Sequence, residues 1–186
     1  MIDMSDMKLK AVPFDAAVFG RTIKRIAHEI IEKNQNTDNL CIVGIKTRGV
    51  PLARRIADCV AEITGRSADV GTLDITMYRD DLSFADGGEP KVNFEPLPFD
   101  INGKTVILVD DVIYTGRTAR AAIDAIMSCG RAAKIQLAVF IDRGHRELPI
   151  RPDFVGKNIP TAPNEVVRLC VKEIDGTDTV ELYIKD

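Results

Sequence analysis

The sequence predicts an α/β domain with a central, mainly parallel sheet flanked by helices. Three observations carry that reading. Residues 40–45 (LCIVGI), 105–109 (TVILV) and 134–141 (KIQLAVFI) are short, nearly continuous apolar runs, the mark of strands buried on both faces. Segments of helical periodicity alternate with them, and strand–helix alternation builds parallel sheets. The chain has 186 residues, which fits a single domain, 1–186, with a core large enough to need no staples.

The elements follow in order. Residues 1–12 lack a clear pattern and read as a flexible tail. Asp15 precedes a helical pattern to about Asn34, with Ile23, Ile26, Ala27, Ile30 and Ile31 on one apolar face. The strand 40–45 is broken by Thr47-Arg48-Gly49. Pro51 then suits a first helical turn, and Gly65 stops the helix after Thr64. Residues 70–78 have strand character. Residues 79–100 are rich in Asp, Gly and Pro and read as a mobile arm, since loops of that length are usually functional. Asp110-Asp111 ends the strand 105–109, and a helix over 118–129 is stopped by Gly130. After the strand 134–141 comes a polar loop, 143–157. Two short strands, 166–172 and 180–184, form a small C-terminal hood.

Composition narrows the function. Hydrophobic residues make up 45% and charged residues 28%, ordinary for a globular protein. The 25 Lys+Arg against 28 Asp+Glu give a net charge of −3, which argues against coating nucleic acid through bulk charge. No apolar run approaches the roughly 20 residues of a membrane span, and residues 1–10 contain no secretory h-region. Cys41, Cys59, Cys129 and Cys170 sit singly in apolar segments and read as reduced core residues of a cytoplasmic protein. His28 and His145 are too isolated for a zinc site.

The chemistry concentrates in VILVDDVIYTGRTARAA, residues 106–122. A buried strand ends in two carboxylates, a small-residue turn follows, and a helix begins. Free amides and the positive dipole end of a helix N-terminus cradle phosphate, and the Thr115 and Thr118 hydroxyls add donors. Asp110 and Asp111 repel phosphate, so they suit sugar hydroxyls, or Mg²⁺ held through water. Together these describe a ribose 5-phosphate site. A bare pair of aspartates at a strand tip is commonplace, and the whole unit is not. Gly103-Lys104-Thr105 imitates the end of a Walker A loop, but Pro98 stands where that loop needs glycine.

This segment resembles the phosphoribosyl-diphosphate signature of type I phosphoribosyltransferases. GIKTRGVPLARRI (44–56), DITMYRDDL (74–82) and IDRGHRELPIRPDFVGKNIPT (141–161) closely resemble the PyrR family, pyrimidine operon attenuation proteins that are also uracil phosphoribosyltransferases. The resemblance runs from about residue 14 to 175. It implies the type I phosphoribosyltransferase fold and the reaction of uracil with phosphoribosyl diphosphate (PRPP) to give UMP and diphosphate, with Mg²⁺ carried by the diphosphate.

It also assigns roles. Thr47, Arg48 and Gly49 form the diphosphate loop, and Arg79 at the root of the arm would cover the same group. Asp110, Asp111, Val112, Ile113, Tyr114, Thr115, Gly116, Arg117 and Thr118 line the ribose-phosphate site. Tyr114 stands where several purine enzymes carry an acid, which favours a pyrimidine base. Arg143 and Val167 are candidates for closing the base pocket.

A second face is implied for RNA. Lys24, Arg25, His28 and Lys33 lie on the first helix, while Arg146 and Lys157 lie in the loop 143–157. On residues alone this is a mixed charged stripe. The resemblance makes it part of a dimer surface that binds pyrimidine-operon leader RNA under UMP control, in a homodimer or larger homo-oligomer. The charge distribution permits this: residues 74–100 hold seven acids against two bases, whereas residues 21–33 and 143–157 each hold four bases against two acids. The alternatives are a uracil phosphoribosyltransferase without RNA regulation, a UMP-sensing regulator without catalysis, and a receiver-like domain. The last would place its aspartates on an early strand.

Overall fold

The computed structural model describes residues 7–75 and 96–185. In chain order the elements are β1 (Met7–Phe14), α1 (Ala16–Lys33), β2 (Leu40–Ile45), α2 (Gly49–Thr64), β3 (Asp69–Leu73), β4 (Thr105–Ile113), α3 (Arg117–Cys129), β5 (Lys134–Asp142), β6 (Phe154–Asn158), β7 (Glu165–Cys170), α4 (Lys172–Asp175) and β8 (Thr179–Lys185).

Five strands form a parallel sheet in the order β3-β2-β4-β5-β6. Side chains alternate across a strand, so each strand feeds two cores. Ile42, Ile107, Val109, Ala138 and Phe140 join Ile23, Ile26 and Ile30 of α1 and Leu52, Ile56 and Val60 of α2. Cys41, Val43, Val106, Leu108, Leu137 and Val139 pack on the other face with Ala121, Ala122, Ala125 and Ile126 of α3. Asp15 starts α1 by accepting a hydrogen bond from the Val18 amide (2.8 Å), and Gly65 ends α2 in the left-handed region (φ 71°).

β1, β8 and β7 form a separate antiparallel sheet, the hood, whose Val167, Leu169, Val180 and Leu182 complete the first core. Among the described residues, no helix is long and apolar enough to cross a membrane.

Three readings of the sequence need correction. From Met7 on, the expected tail is the hood strand β1, paired with β8 from Met7↔Lys185 to Phe14↔Val180. The expected loop 143–157 contains the start of β6, an edge strand paired with β5. The aspartate pair does not end its strand, because β4 continues to Ile113, which pairs with Asp142. The arm 79–100 and the end of the expected strand 70–78 fall largely outside the described residues. Its last part, however, is anchored: Leu97 is buried, and it and Phe99 pack so close to Gly71 that a Cβ there would lie 2.7 Å from Leu97 Cδ2.

Strand order locates the site. From β2 the chain crosses by α2 to β3 on one side, and from β4 it crosses by α3 to β5 on the other. Ligands of such sheets sit beyond the carboxyl ends where the direction reverses, here between β2 and β4.

Candidate active site

The loop after β2 enters α2 against the tip of β4. A Cβ on Gly49 would sit 2.3 Å from the Val109 carbonyl oxygen, and one on Gly44 would sit 2.5 Å from the Gly49 carbonyl. Both positions therefore require glycine, and their absence of side chains brings residues 46–48 beside the β4 aspartates. The Lys46 amide ties this loop to the Leu73 carbonyl (2.9 Å).

Asp110 is only 8% exposed. Its Oδ1 accepts the Asp111 amide (2.9 Å), and Asp111 Oδ1 accepts the Val112 amide (2.8 Å). Each carboxylate is thus oriented by the next peptide. Desolvation in the crevice pushes the Asp111 carboxyl above its ordinary value, while the Val112 amide, the Asp110 side chain and the nearby Arg48 pull the other way.

The turn after β4 is braced from outside. The Thr115 carbonyl accepts the amides of Glu147 (2.9 Å) and Leu148 (3.1 Å), and Arg117 Nε donates to Glu147 (2.8 Å). Arg146 donates to the carbonyls of Tyr114 (2.8 Å) and Ile150 (3.0 Å) and pairs with Asp142. Gly116 (φ 94°) starts α3 with no side chain of its own to cap it, and the Thr115 hydroxyl accepts the Arg117 amide (3.3 Å) at the helix opening. A cleft of about 410 Å³ lies here, lined by Asp110, Val112, Ile113, Tyr114, Thr115, Gly116, Arg117 and Thr118 among others. An adjoining cleft of about 400 Å³ shares Asp110, Val112 and Thr118 and adds Lys46, Thr47, Asp74 and Asp111. The first suits a phosphate at a helix N-terminus, the second a polyol and a second anion.

The oxygens of the second cleft, from Asp74, Asp110, Asp111, Thr47 and Thr118, are hard ligands that suit Mg²⁺. Among the described residues no group of three or more His, Cys, Asp or Glu is placed to hold a metal ion.

Other expected site residues fall elsewhere. Arg48 lines neither cleft. Its Nε and Nη2 donate to the two oxygens of Asp175 in α4 (3.1 and 2.8 Å). Val167 is buried in the hood core and also lines neither cleft, because the inward face of β7 packs on the sheet. Arg79 lies outside the described residues. Arg143 forms a wall behind Tyr114: its guanidinium lies 4.1 Å from the Tyr114 ring centroid and donates to Thr161 Oγ1 (3.1 Å) and the Glu165 carbonyl (2.7 Å). Burial lowers the Arg143 pKa. Tyr114 itself is 40% exposed, flanked at its edge by the His145 ring.

The residues expected to meet RNA divide. Lys24, Arg25, His28 and Lys33 are exposed on α1, and Lys157 is exposed on β6. Arg25 reaches across to the carbonyls of Val155 and Gly156, Lys33 pairs with Asp153 (2.6 Å), and Lys157 lies over the Phe14 ring. These join α1 to the β6 edge in one face. Arg146 does not belong to it, since its donors brace the turn after β4.

Sequence reasoning placed Lys46 at the strand end facing the crevice but missed Asp74 and Asp175. Asp74 follows β3, next to β2, and pairs with Lys46 at 3.3 Å, while Asp175 is separated from Arg48 by 127 residues, so no local pattern marks it.

Comparisons with known proteins identify the fold and the family. A family model for the phosphoribosyl transferase domain matches residues 15–174. "Bifunctional protein PyrR" of Thermus aquaticus is 57% identical over 180 residues, covering 97% of this chain and 99% of that protein. Its namesake in Clostridium acetobutylicum is 57% identical over 177 residues, covering 95% and 99%. Hypoxanthine phosphoribosyltransferase from Staphylococcus aureus shares the fold at a TM-score of 0.70 with 18% identity, over 93% of this chain and 92% of that one. With a phosphoribosyl transferase domain across most of its length and relatives this similar, the chain belongs to the PyrR family.

Proposed function

We propose that the protein transfers ribose 5-phosphate from PRPP to uracil, yielding UMP and diphosphate, and that it controls pyrimidine-operon expression by UMP-dependent binding to leader RNA. The observation that carries the first activity is the pairing of the two clefts around Asp110 and Thr118 at the sheet's switch point. The membership in the PyrR family supports both activities together.

In this reading the 5-phosphate meets the turn 115–118 and the first amides of α3. Asp110 and Asp111 accept hydrogen bonds from the ribose hydroxyls, which holds C1 in place. The diphosphate lies toward the loop 46–49. Mg²⁺, when bound, neutralises charge on the diphosphate. The bond from C1 to the diphosphate oxygen breaks as the bond from uracil N1 forms, through a sugar cation at C1, and the N1 proton leaves with the departing diphosphate. Tyr114, backed by Arg143, offers a flat face beside that carbon for the base. Preset donors at the anion sites stabilise the charge that develops there.

Incubating the protein with labelled uracil, PRPP and Mg²⁺ is expected to give labelled UMP. Leader RNA of its own pyrimidine operon is expected to bind more tightly with UMP present. Absence of UMP formation contradicts the first activity, and RNA affinity indifferent to UMP contradicts the second.

A further inference from the structure

Arg48, the N-cap of α2, and Arg55 within the helix stand seven residues apart and grip the hood. Arg55 donates to both oxygens of Glu173 (2.8 and 2.6 Å) and to Asp178 (2.9 Å). Arg48 makes the bidentate pair with Asp175 already described. Only Arg48 is close enough to the crevice to feel the Asp111 charge.

Asp175 is itself immobilised. Its Oδ2 also accepts the Val171 amide (3.0 Å), and Arg168 lies 3.5 Å from its Oδ1. The Val171 carbonyl in turn accepts the Asp175 amide (2.7 Å), and Val171 is fully buried in the hood core. The carboxylate is therefore a fixed acceptor presented by a rigid part of the hood. A fork of two charge-assisted hydrogen bonds defines the plane and direction of a guanidinium, which a single bond does not. Two of the five guanidinium donors are spent on Asp175, leaving three.

We propose that Asp175 is a positioning residue for the transferase reaction: by its forked bond it fixes Arg48, and with it the loop 46–49, for the diphosphate end of PRPP. The inference rests on the proposed transferase activity. It makes the hood part of the anion site as well as a lid on the core. The Arg55–Glu173 pair is an internal control, because it joins α2 to α4 without a bond to Arg48.

The test compares Asp175→Asn and Glu173→Gln by steady-state kinetics, by calorimetric binding of PRPP with Mg²⁺, and by thermal melting. Asp175→Asn is expected to raise the KM and Kd for PRPP about tenfold while the KM for uracil stays within about twofold, the loss of roughly one charge-assisted interaction. Glu173→Gln is expected to lower Tm without moving either constant for PRPP. Unchanged PRPP constants in Asp175→Asn overturn the proposal, as does an equal rise in Glu173→Gln. Should Asp175→Asn melt too low to assay, Arg48→Lys carries the same test. It keeps the charge, loses the fork and is expected to weaken PRPP alike, and unchanged PRPP binding overturns the proposal. A wild-type protein that binds PRPP but forms no UMP contradicts the transferase reading alone, and the PRPP binding comparison still decides the role of Asp175.

Discussion

At the scale of single residues, close approach and burial set the limits. Gly49 lies where a methyl group would meet the Val109 carbonyl at 2.3 Å, and both partners are main chain. Gly49→Ala is expected to cost about 3 kcal/mol or more by forcing α2 away from β4, read as a lowered denaturation midpoint. Cys41 is fully buried, and desolvation pushes its thiol up to about 11. It is expected to resist alkylation by iodoacetamide at pH 8 in the folded protein, and mass spectrometry of the alkylated sites checks this. Asp175 is held below the usual carboxylate range, first by the hydrogen bonds from Arg48. Its depressed folded pKa means that the unfolded chain takes up protons first. The stability it contributes is therefore complete above about pH 4 and disappears as pH falls through the folded value. The Tm difference between wild type and Asp175→Asn is expected to shrink on acidification below pH 4.

At the scale of elements, the sequence and the fold agree where a segment's character is local. Residues 40–45 read as a buried strand because every side chain of LCIVGI is buried, so no face needs a polar residue. The helices were equally legible, since α1 repeats its apolar face every third or fourth residue and Asp15 supplies its cap. β1 was not legible. MKLKAVPF carries two lysines and a proline, is mostly exposed, and owes its strand form to β8, more than 160 residues away. β6 was hidden for a similar reason, as FVGKN has little apolar pattern and is extended by pairing with β5. The β4 strand runs through two aspartates because pairing to β5 continues on its far side. Of the candidate site, the 110–118 turn was legible because its groups are contiguous. The Arg48–Asp175 fork was not, because it exists only in three dimensions. α1 carries a further expectation. Lys24 and His28 are exposed and line neither cleft, so Lys24→Ala with His28→Ala is expected to weaken leader-RNA binding about tenfold and leave UMP formation within twofold. Filter binding at two salt concentrations would also show a shallower salt dependence.

At the scale of the whole molecule, charge and topology divide the labour. The net charge of −3 conceals a mixed face along α1 and the β6 edge, where bases outnumber acids and Arg25 and Lys33 pair with Glu29 and Asp153, and acids gathered at the hood's α4–β8 turn, where Arg48, Arg55 and Arg168 engage them. The crevice opens at the carboxyl ends of the strands. The α1 face packs along the outside of the sheet, so the two proposed activities use different surfaces of one domain. The reversal of crossover direction between β2 and β4 places the aspartates, Thr118 of the phosphate turn, and Lys46 and Thr47 around one cavity.

Asp110 and Asp111 are proposed to hold the ribose of PRPP for transfer to uracil. Asparagine at both positions keeps the Oδ1 acceptors for the Asp111 and Val112 amides and removes the charges. The most direct measurement is UMP formation by Asp110→Asn with Asp111→Asn beside wild type, at matched folded concentration. Turnover is expected to be at least about a hundredfold lower in the double variant, with Tm close to that of wild type. Wild-type turnover in that variant would contradict this role.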